Sequence, residues 1–328
     1  MFSDVIGHKE VIESLKNALR SDRVANAYIF SGPEEVGKEL VAINFAKGLN
    51  CLSDGEVPCD KCISCRKIDD GNHGDVMVIR PEGTRLKIDQ MRFLQRQGAY
   101  KAVEGNYKVY IIAEAEKMTA EAANSILKTL EEPPSIMVLI LLTSVYSALL
   151  PTIRSRCQSL KFSAVPLITL RNDLVKRLGI PESQAKWAAL RSQGRPGRAL
   201  KLAKEGKQDV DNDISSSLPD FGRQSGDFLL DIFRKAEDLG KVQDSLDTLL
   251  SWYRDLLLVK QGCSRDLLTH SDEADHLEKV AKRYSDIQIE KLISTTLRTQ
   301  NIIQRNINPT LALEVMMLHS FDALSTRL

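Results

Sequence analysis

Ala27-Tyr28-Ile29-Phe30-Ser31-Gly32-Pro33-Glu34-Glu35-Val36-Gly37-Lys38-Glu39 is an apolar run that breaks into a glycine-bounded loop and then into a helical pattern over Leu40 to Leu49. In such a strand–loop–helix setting, backbone N–H groups and a helix N-terminus converge on phosphate oxygens, and a lysine adds a point charge. Gly32, Gly37 and Lys38 fit that chemistry. Two neighbours do not. Glu39 stands where a Ser or Thr hydroxyl would hold Mg²⁺, and Glu35 puts a carboxylate where phosphate would sit. Two readings stand: a nucleotide site of altered chemistry, or a vestigial loop that only joins strand to helix.

Outward from this stretch the first 163 residues alternate strands and helices. Ile12, Leu15 and Leu19 share a helical face. Val76-Met77-Val78-Ile79, Val109 to Ala113 and Ile136 to Leu142 are continuous apolar runs, as strands covered on both faces require. Strands separated by helices predict an α/β, doubly wound parallel sheet. The third strand runs into Ala113-Glu114. A nucleotide hydrolase ends such a strand with an Asp for Mg²⁺ and a Glu that polarises the attacking water. Glu114 is present, but the Asp is replaced by Ala113. With Glu39, that removes two Mg²⁺ ligands, so the chain is expected not to hold Mg²⁺ in the usual way and to hydrolyse ATP poorly by itself. Whether ATP or ADP binds through Lys38 stays open.

Cys51, Cys59, Cys62 and Cys65 cluster, with two successive Cys-x2-Cys steps in a loop that contains Gly and Pro. Four thiolates at short spacing suit tetrahedral Zn²⁺ and leave no open position for catalysis. An iron–sulfur cluster would use the same ligand number, but nothing here favours redox chemistry. His73 is not expected to be a ligand. Near the helix from Asp89 to Gln97, which Asp89 is expected to cap, lie Arg80, Arg85, Lys87, Arg92 and Arg96. They read either as contacts to DNA phosphates or as a solvated face, with no interleaved aromatics and Phe93 expected in the core.

The 328 residues carry 45 Lys and Arg against 44 Asp and Glu, which excludes a globally basic nucleic-acid binder and an acidic tail protein. The longest apolar run, Ile136 to Leu142, is far below the roughly 20 residues of a membrane span. No secretion signal opens the chain, and a cytoplasmic location is expected. Composition shifts later: residues 161–207 hold 11 basic and 3 acidic residues, and residues 208–247 hold 4 and 10. The polar stretch Gly206 to Asp220 reads as a boundary. Beyond it the pattern is helical, through Phe228, Ile232 and Phe233, then Leu246, Leu249, Leu250 and Tyr253, then Ile302, Ile303, Leu311, Leu313 and Met316.

Asn124-Ser125-Ile126-Leu127-Lys128-Thr129-Leu130-Glu131-Glu132-Pro133-Pro134, Ser155-Arg156-Cys157 after Leu150-Pro151-Thr152-Ile153-Arg154, and Gly194-Arg195-Pro196-Gly197-Arg198-Ala199 resemble the clamp-loader branch of the AAA+ family. Phe2-Ser3-Asp4-Val5-Ile6-Gly7 and Ala27 to Gly32 do as well, so the resemblance covers roughly residues 2 to 200. It implies an AAA+ core over 1–163 with a structural zinc module at 51–65, a helical lid over 164–207 and an all-α collar over 208–328. It implies that Arg156 is an arginine finger reaching a neighbour's ATP; the alternative is an Arg in an ordinary ion pair. Arg198 matches the lid arginine that senses nucleotide, or caps its helix. Thr143 and Ser144 fall at the γ-phosphate sensor position, or are ordinary strand-end residues. The implied partners are gamma/tau-type and delta-type clamp-loader subunits, a sliding clamp and primer–template DNA, with no membrane. A damaged phosphate loop beside an intact Ser-Arg-Cys resembles the stator-like members of the branch. The rival readings are an ATP-hydrolysing gamma/tau-type subunit and a zinc-containing DNA-binding protein on a vestigial nucleotide fold.

Overall fold

The computed structural model describes the chain except residues 54, 56, 135, 206–238, 271–272, 305–307 and 326–328. The expected boundary at Gly206 to Asp220 and the positions Phe228, Ile232 and Phe233 lie outside the described residues. The chain divides into two compact units, Met1–Lys201 and Leu202–Leu328.

The first unit is built on five parallel strands: β1 (Ala27–Ser31), β2 (Val76–Ile79), β3 (Lys108–Ile112), β4 (Met137–Thr143) and β5 (Gln158–Lys161). Their spatial order is β2-β3-β4-β1-β5. Tyr28 lies level with Ile140 on one side and with Gln158 on the other. Four strands were legible as apolar runs. The edge strand β5 was not, because only Leu160 of its four residues is buried.

Alternate side chains of each strand enter opposite cores, as the two-residue strand period demands. Tyr28, Phe30, Val109, Ile111, Val138 and Ile140 pack on one face with Leu15 of α1 (Lys9–Arg20) and Phe45 of α2 (Lys38–Leu49). Ile29, Ile112, Leu139 and Leu141 pack on the other with Met91 and Leu94 of α4 (Ile88–Gly98). Each such Leu or Ile contributes about 1.5–3 kcal/mol of burial, so a one-residue slip of any strand would turn both cores inside out. A short helix α3 (Ile63–Asp69) follows the cysteines. Helices α5 (Ala120–Ser125) and α6 (Leu127–Glu131) precede β4, and α7 (Pro151–Arg154) precedes β5. Helices α8 (Leu167–Leu178) and α9 (Glu182–Arg191) pack on each other, and α10 spans Pro196–Glu205.

Two local expectations are corrected. Asp89 does not cap α4. The N-cap is Lys87, whose N–H is met by the Gln90 Oε1 at 3.0 Å, and Asp89 stands in the first turn beside Arg92. Phe93 is not core but 40% exposed, because α4 turns Met91 and Leu94 inward instead.

The α-helices described in the second unit after α10 are α11 (Leu239–Lys260), α12 (Ala274–Ala281), α13 (Asp286–Gln304) and α14 (Pro309–Ser325), and no strand is found among its described residues. Leu246, Leu249, Trp252, Tyr253, Leu277, Leu292, Leu313 and Met316 form its core. Leu311 of the expected apolar set is exposed, along with Val315 and Leu318 on the same helix. No helix among the described residues is long and apolar enough to cross a membrane.

Candidate functional site

Ligands of open parallel sheets gather at the carboxyl ends of the strands where the chain reverses direction of strand addition. Here that point is β1, with β4 on one side and β5 on the other. A cavity of about 500 Å³ lies there, lined by Lys38 and Glu39 after β1, Arg80 after β2, Ala113 and Glu114 after β3, Thr143 and Ser144 at the end of β4, and Gly197 of α10. The sequence motifs thus meet in one place. Gly32 is required for the turn: its φ is 156°, and a Cβ would fall 2.2 Å from the Phe162 carbonyl oxygen. Gly37 has φ 106° and opens α2. His8 Nε2 lies 3.0 Å from the Val36 carbonyl oxygen, which can only accept, so the ring donates there and anchors the loop; burial lowers the His8 pKa, with that bond acting in the opposite direction.

The charges around this cradle are already paired. Lys38 Nζ donates to the carbonyls of Gly32 and Pro33, each at 2.6 Å. Burial lowers its pKa, while the carboxylates of Glu116 and Glu34 act in the opposite direction. Glu39 is held in a two-pronged pair by Arg80, at 2.9 and 2.5 Å. Arg80, which the sequence grouped with the basic residues near α4, is therefore a pocket residue. Glu35 stands in the left-handed region at φ 56°, accepts the Gly197 N–H at 2.8 Å and pairs through its side chain with Lys201. Gly197 allows that approach, since a Cβ there would lie 3.0 Å from the Glu35 carbonyl oxygen. Arg198 follows in the first turn of α10. Glu114, also left-handed at φ 51°, pairs with Lys117. At the two positions the sequence singled out for Mg²⁺, the cavity is lined by a carboxylate already paired with Arg80 and by the methyl group of Ala113.

Glu116 was missed in the sequence, where Glu114 drew attention as the strand-end acid. Its Oε1 accepts the Ser144 N–H at 3.1 Å and also meets the Ser144 hydroxyl, while its Oε2 is buried without a partner. The repeated Ala-Glu of 113–116 was the available signal.

The four cysteines converge. Their sulfurs all lie within 4.8 Å of one another. Tetrahedral Zn–S bonds of about 2.3 Å would place sulfurs about 3.8 Å apart, so the set fits the ion with little closing movement. The Cys62 N–H points at the Cys59 sulfur at 3.3 Å, and the Cys65 N–H points at the Cys62 sulfur at 3.4 Å. The Cys62 and Lys61 N–H groups bring the Cys59 thiol down to about 6. Burial opposes the Cys62 thiolate, but N–H groups of Leu52 and Cys65 outweigh it and lower that pKa too. Burial raises Cys51 and Cys65. The cluster is compatible with a structural zinc. Lys47 of α2 ties the segment to the core, pairing with Asp60 at 2.7 Å and Asp69 at 2.8 Å. His73 is engaged elsewhere, 3.2 Å from the Ser64 hydroxyl.

Arg156 lies across the sheet from the phosphate loop. It precedes β5, and Gln158 is level with Tyr28 at the start of β1. A second cavity, about 260 Å³, opens there between Asn26, Thr129, Glu131, Met137, Gln158 and Arg156. Crossing β1 takes about 13 Å of strand, so Arg156 and Lys38 lie at opposite ends of the sheet. Its Nη2 donates to Glu131 Oε1 at 2.6 Å and its Nη1 to the Thr152 carbonyl at 3.0 Å. Arg85, Lys87, Arg92 and Arg96 are all exposed, with Phe93 and Tyr100 exposed beside them. Aromatics are therefore present near that basic face.

A parallel α/β core of P-loop type, with a glycine-bounded loop between β1 and α2 and a four-cysteine module, is the class that fold and site define. Comparison with known proteins narrows it. A family profile described as "DNA polymerase III, delta subunit" matches residues 7–166, and one described as "DNA polymerase III, delta subunit, C terminal" matches residues 228–320. The chain is 29% identical to DNA polymerase III subunit delta' of Bacillus subtilis, over 94% of each protein. It is 39% identical to DNA polymerase III subunit tau/gamma of Haemophilus influenzae, over 50% of this chain but only 24% of that longer one. Among solved structures, a DNA polymerase III gamma subunit-related protein of Thermotoga maritima is 19% identical, with a TM-score of 0.49, covering 95% of this chain and 99% of that one. The chain belongs to the family of DNA polymerase III clamp-loader subunits.

Proposed function

We propose that this chain takes a stator-like place, of the delta-prime kind, in a DNA polymerase III clamp loader. It would stand beside gamma/tau-type and delta-type subunits while the assembly loads a sliding clamp on primer–template DNA. Arg156 would act in trans as an arginine finger on a neighbour's nucleotide. The observation that carries this reading is the separation of the two ends of the sheet. Arg156 lies at the amino ends of β1 and β5, whereas the phosphate loop, with its paired Lys38, Glu39 and Glu35, lies at the carboxyl ends. A guanidinium so placed has no access to its own chain's cradle but is open to an adjoining subunit. Arginine fingers supplied across an interface give about 10³–10⁵ in rate in other systems.

The remaining assignments follow that reading. Cys51, Cys59, Cys62 and Cys65 would hold a structural zinc that stiffens the segment after α2. Arg85, Lys87, Arg92 and Arg96 would face DNA phosphates. Gly32, Gly37, Lys38, Glu114 and Arg198 would line a cradle that retains shape without the Mg²⁺ ligands for hydrolysis. The chain would work in the cytoplasm, as a core over 1–163, a lid over 164–207 and a collar over 208–328. The test is DNA- and clamp-stimulated ATP hydrolysis by the reconstituted assembly, with Arg156→Ala compared at matched assembly. A rate well below wild type is expected. An unchanged rate overturns the finger, and strong hydrolysis by the isolated chain overturns the stator reading.

A further inference from the structure

The guanidinium proposed to act on a neighbour is not free in this chain. Arg156 Nη2 donates to Glu131 Oε1 at 2.6 Å, and Nη1 donates to the Thr152 carbonyl at 3.0 Å and lies 3.4 Å from the Ser155 hydroxyl. The two charged residues come from different elements. Glu131 ends α6, and Arg156 stands between α7 and β5. The carbonyl and hydroxyl contacts are local to the turn that carries Arg156 and would move with it. The Glu131 contact is the one that ties the guanidinium to another part of the chain. The pair is partly open to solvent, with side-chain exposures of 34% for Arg156 and 50% for Glu131, and it borders the second cavity. Such pairs are cheap to open and sensitive to a competing anion.

We infer that Glu131 is a positioning residue: it parks the Arg156 guanidinium against its own chain until the phosphates of a neighbour's nucleotide displace the carboxylate. This rests on the finger reading above. In the exchange the Nη2–H···Oε1 bond to Glu131 opens and an Nη2–H···O bond to phosphate forms, with the proton staying on Arg156 throughout. A triphosphate offers more charge and more acceptor oxygens than one carboxylate, so it wins the guanidinium when the neighbour is loaded and loses it when the γ-phosphate leaves. The parked state also shields a cation on an exposed edge from binding unrelated anions before assembly. Because the carboxylate competes with nucleotide, its removal lowers the nucleotide concentration needed to engage the finger. It does not abolish the engaged state.

The test uses the reconstituted assembly with primed DNA and clamp, reading KM for ATP and kcat separately. Glu131→Gln keeps shape and removes charge, and Glu131→Asp keeps charge but shortens the reach. Removing an exposed pair of this kind lowers KM about two- to fivefold, with Glu131→Asp intermediate. In an Arg156→Ala background, Glu131→Gln shifts nothing further. If Arg156→Ala slows hydrolysis but Glu131→Gln leaves KM unchanged, or lowers kcat as Arg156→Ala does, the parking role is overturned while the finger stands. If Arg156→Ala leaves hydrolysis unchanged, the finger falls and the parking role with it. A KM shift from Glu131→Gln that persists without Arg156 also overturns the inference, because the carboxylate would then act through another group. Glu131 ends its helix half exposed, so folding tolerates the glutamine, and matched melting temperatures check this.

Discussion

Replacing Glu39 by threonine should turn the phosphate loop toward nucleotide binding, and the gain can be sized from its surroundings. The Glu39 carboxylate sits in the first turn of α2, in the position whose hydroxyl would hold Mg²⁺, and is clasped by Arg80 at 2.9 and 2.5 Å. A negative charge about 5 Å from a phosphate charge costs roughly 1 kcal/mol at the dielectric of water and about 3 kcal/mol at an effective dielectric of 20. The site is partly open, so the relevant range is about 1–3 kcal/mol, or roughly five- to 150-fold in affinity. Glu39→Thr removes that repulsion, supplies a hydroxyl and leaves the Arg80 cation facing the cavity. All three changes act in one direction. Lys38 must leave the Gly32 and Pro33 carbonyls, but the phosphate returns those hydrogen bonds. The assay is titration of the purified full-length chain with a non-hydrolysable ATP analogue, with and without Mg²⁺. Glu39→Thr should tighten binding at least fivefold, more with Mg²⁺ than without. Hydrolysis should stay low, because Ala113 still lacks a metal ligand. An unchanged dissociation constant, or wild-type binding already tight and Mg²⁺-dependent, would refute the argument that Glu39 is a barrier.

Three further outcomes are expected. The Asp75 carboxylate accepts N–H groups of Val103 at 2.9 Å and of Glu104 and Gly105 at 2.8 Å; burial alone would raise its pKa, but these donors more than offset that and lower it. Asp75→Ala should therefore cost about 3 kcal/mol in urea unfolding at neutral pH. A carboxylate with a depressed folded pKa stabilises above its unfolded value, so the gap between wild type and Asp75→Ala should close as pH falls below about 4; a gap constant down to acid would be inconsistent with a charged acceptor. Metal analysis should find zinc bound to the chain, and Cys62→Ser or a strong chelator should remove it, lower Tm and open residues 51–65 to protease; a chain without zinc and with an unchanged Tm would oppose the module. Gly197→Val should cost about 1–3 kcal/mol by overpacking and speed hydrogen exchange of its own amide, because the new Cβ meets Glu35; an unperturbed amide would mean that α10 is not clasped to the loop.

Four of the five strands, the phosphate-loop setting and the four cysteines were legible in the sequence because each is a local pattern. Continuous apolar runs mark doubly covered strands, glycines bracket a loop before a helix, and Cys-x2-Cys steps bring thiols together over short reach. The residues Glu39 and Ala113 were legible for the same reason, since their place after a strand is read from the sequence alone. Strand β5 was hidden because an edge strand buries one residue in four here, and Phe93 was placed in the core because spacing does not say which side of α4 faces inward. The partners of the charged residues were not readable at all. Arg80 meets Glu39 from 41 residues away, Lys201 meets Glu35 from 166, and Glu131 meets Arg156 from 25. The stacking order β2-β3-β4-β1-β5 brings Arg80 to Glu39, and the seating of α10 on the phosphate loop brings Lys201 to Glu35. That order sets the carboxyl ends of β1 to β4 around one cavity and leaves Arg156 at the opposite ends. Sequence alone determined which chemical groups the chain carries. The sheet decided which of them share a site, because an ion pair is set by distance in space and carries no period along the chain.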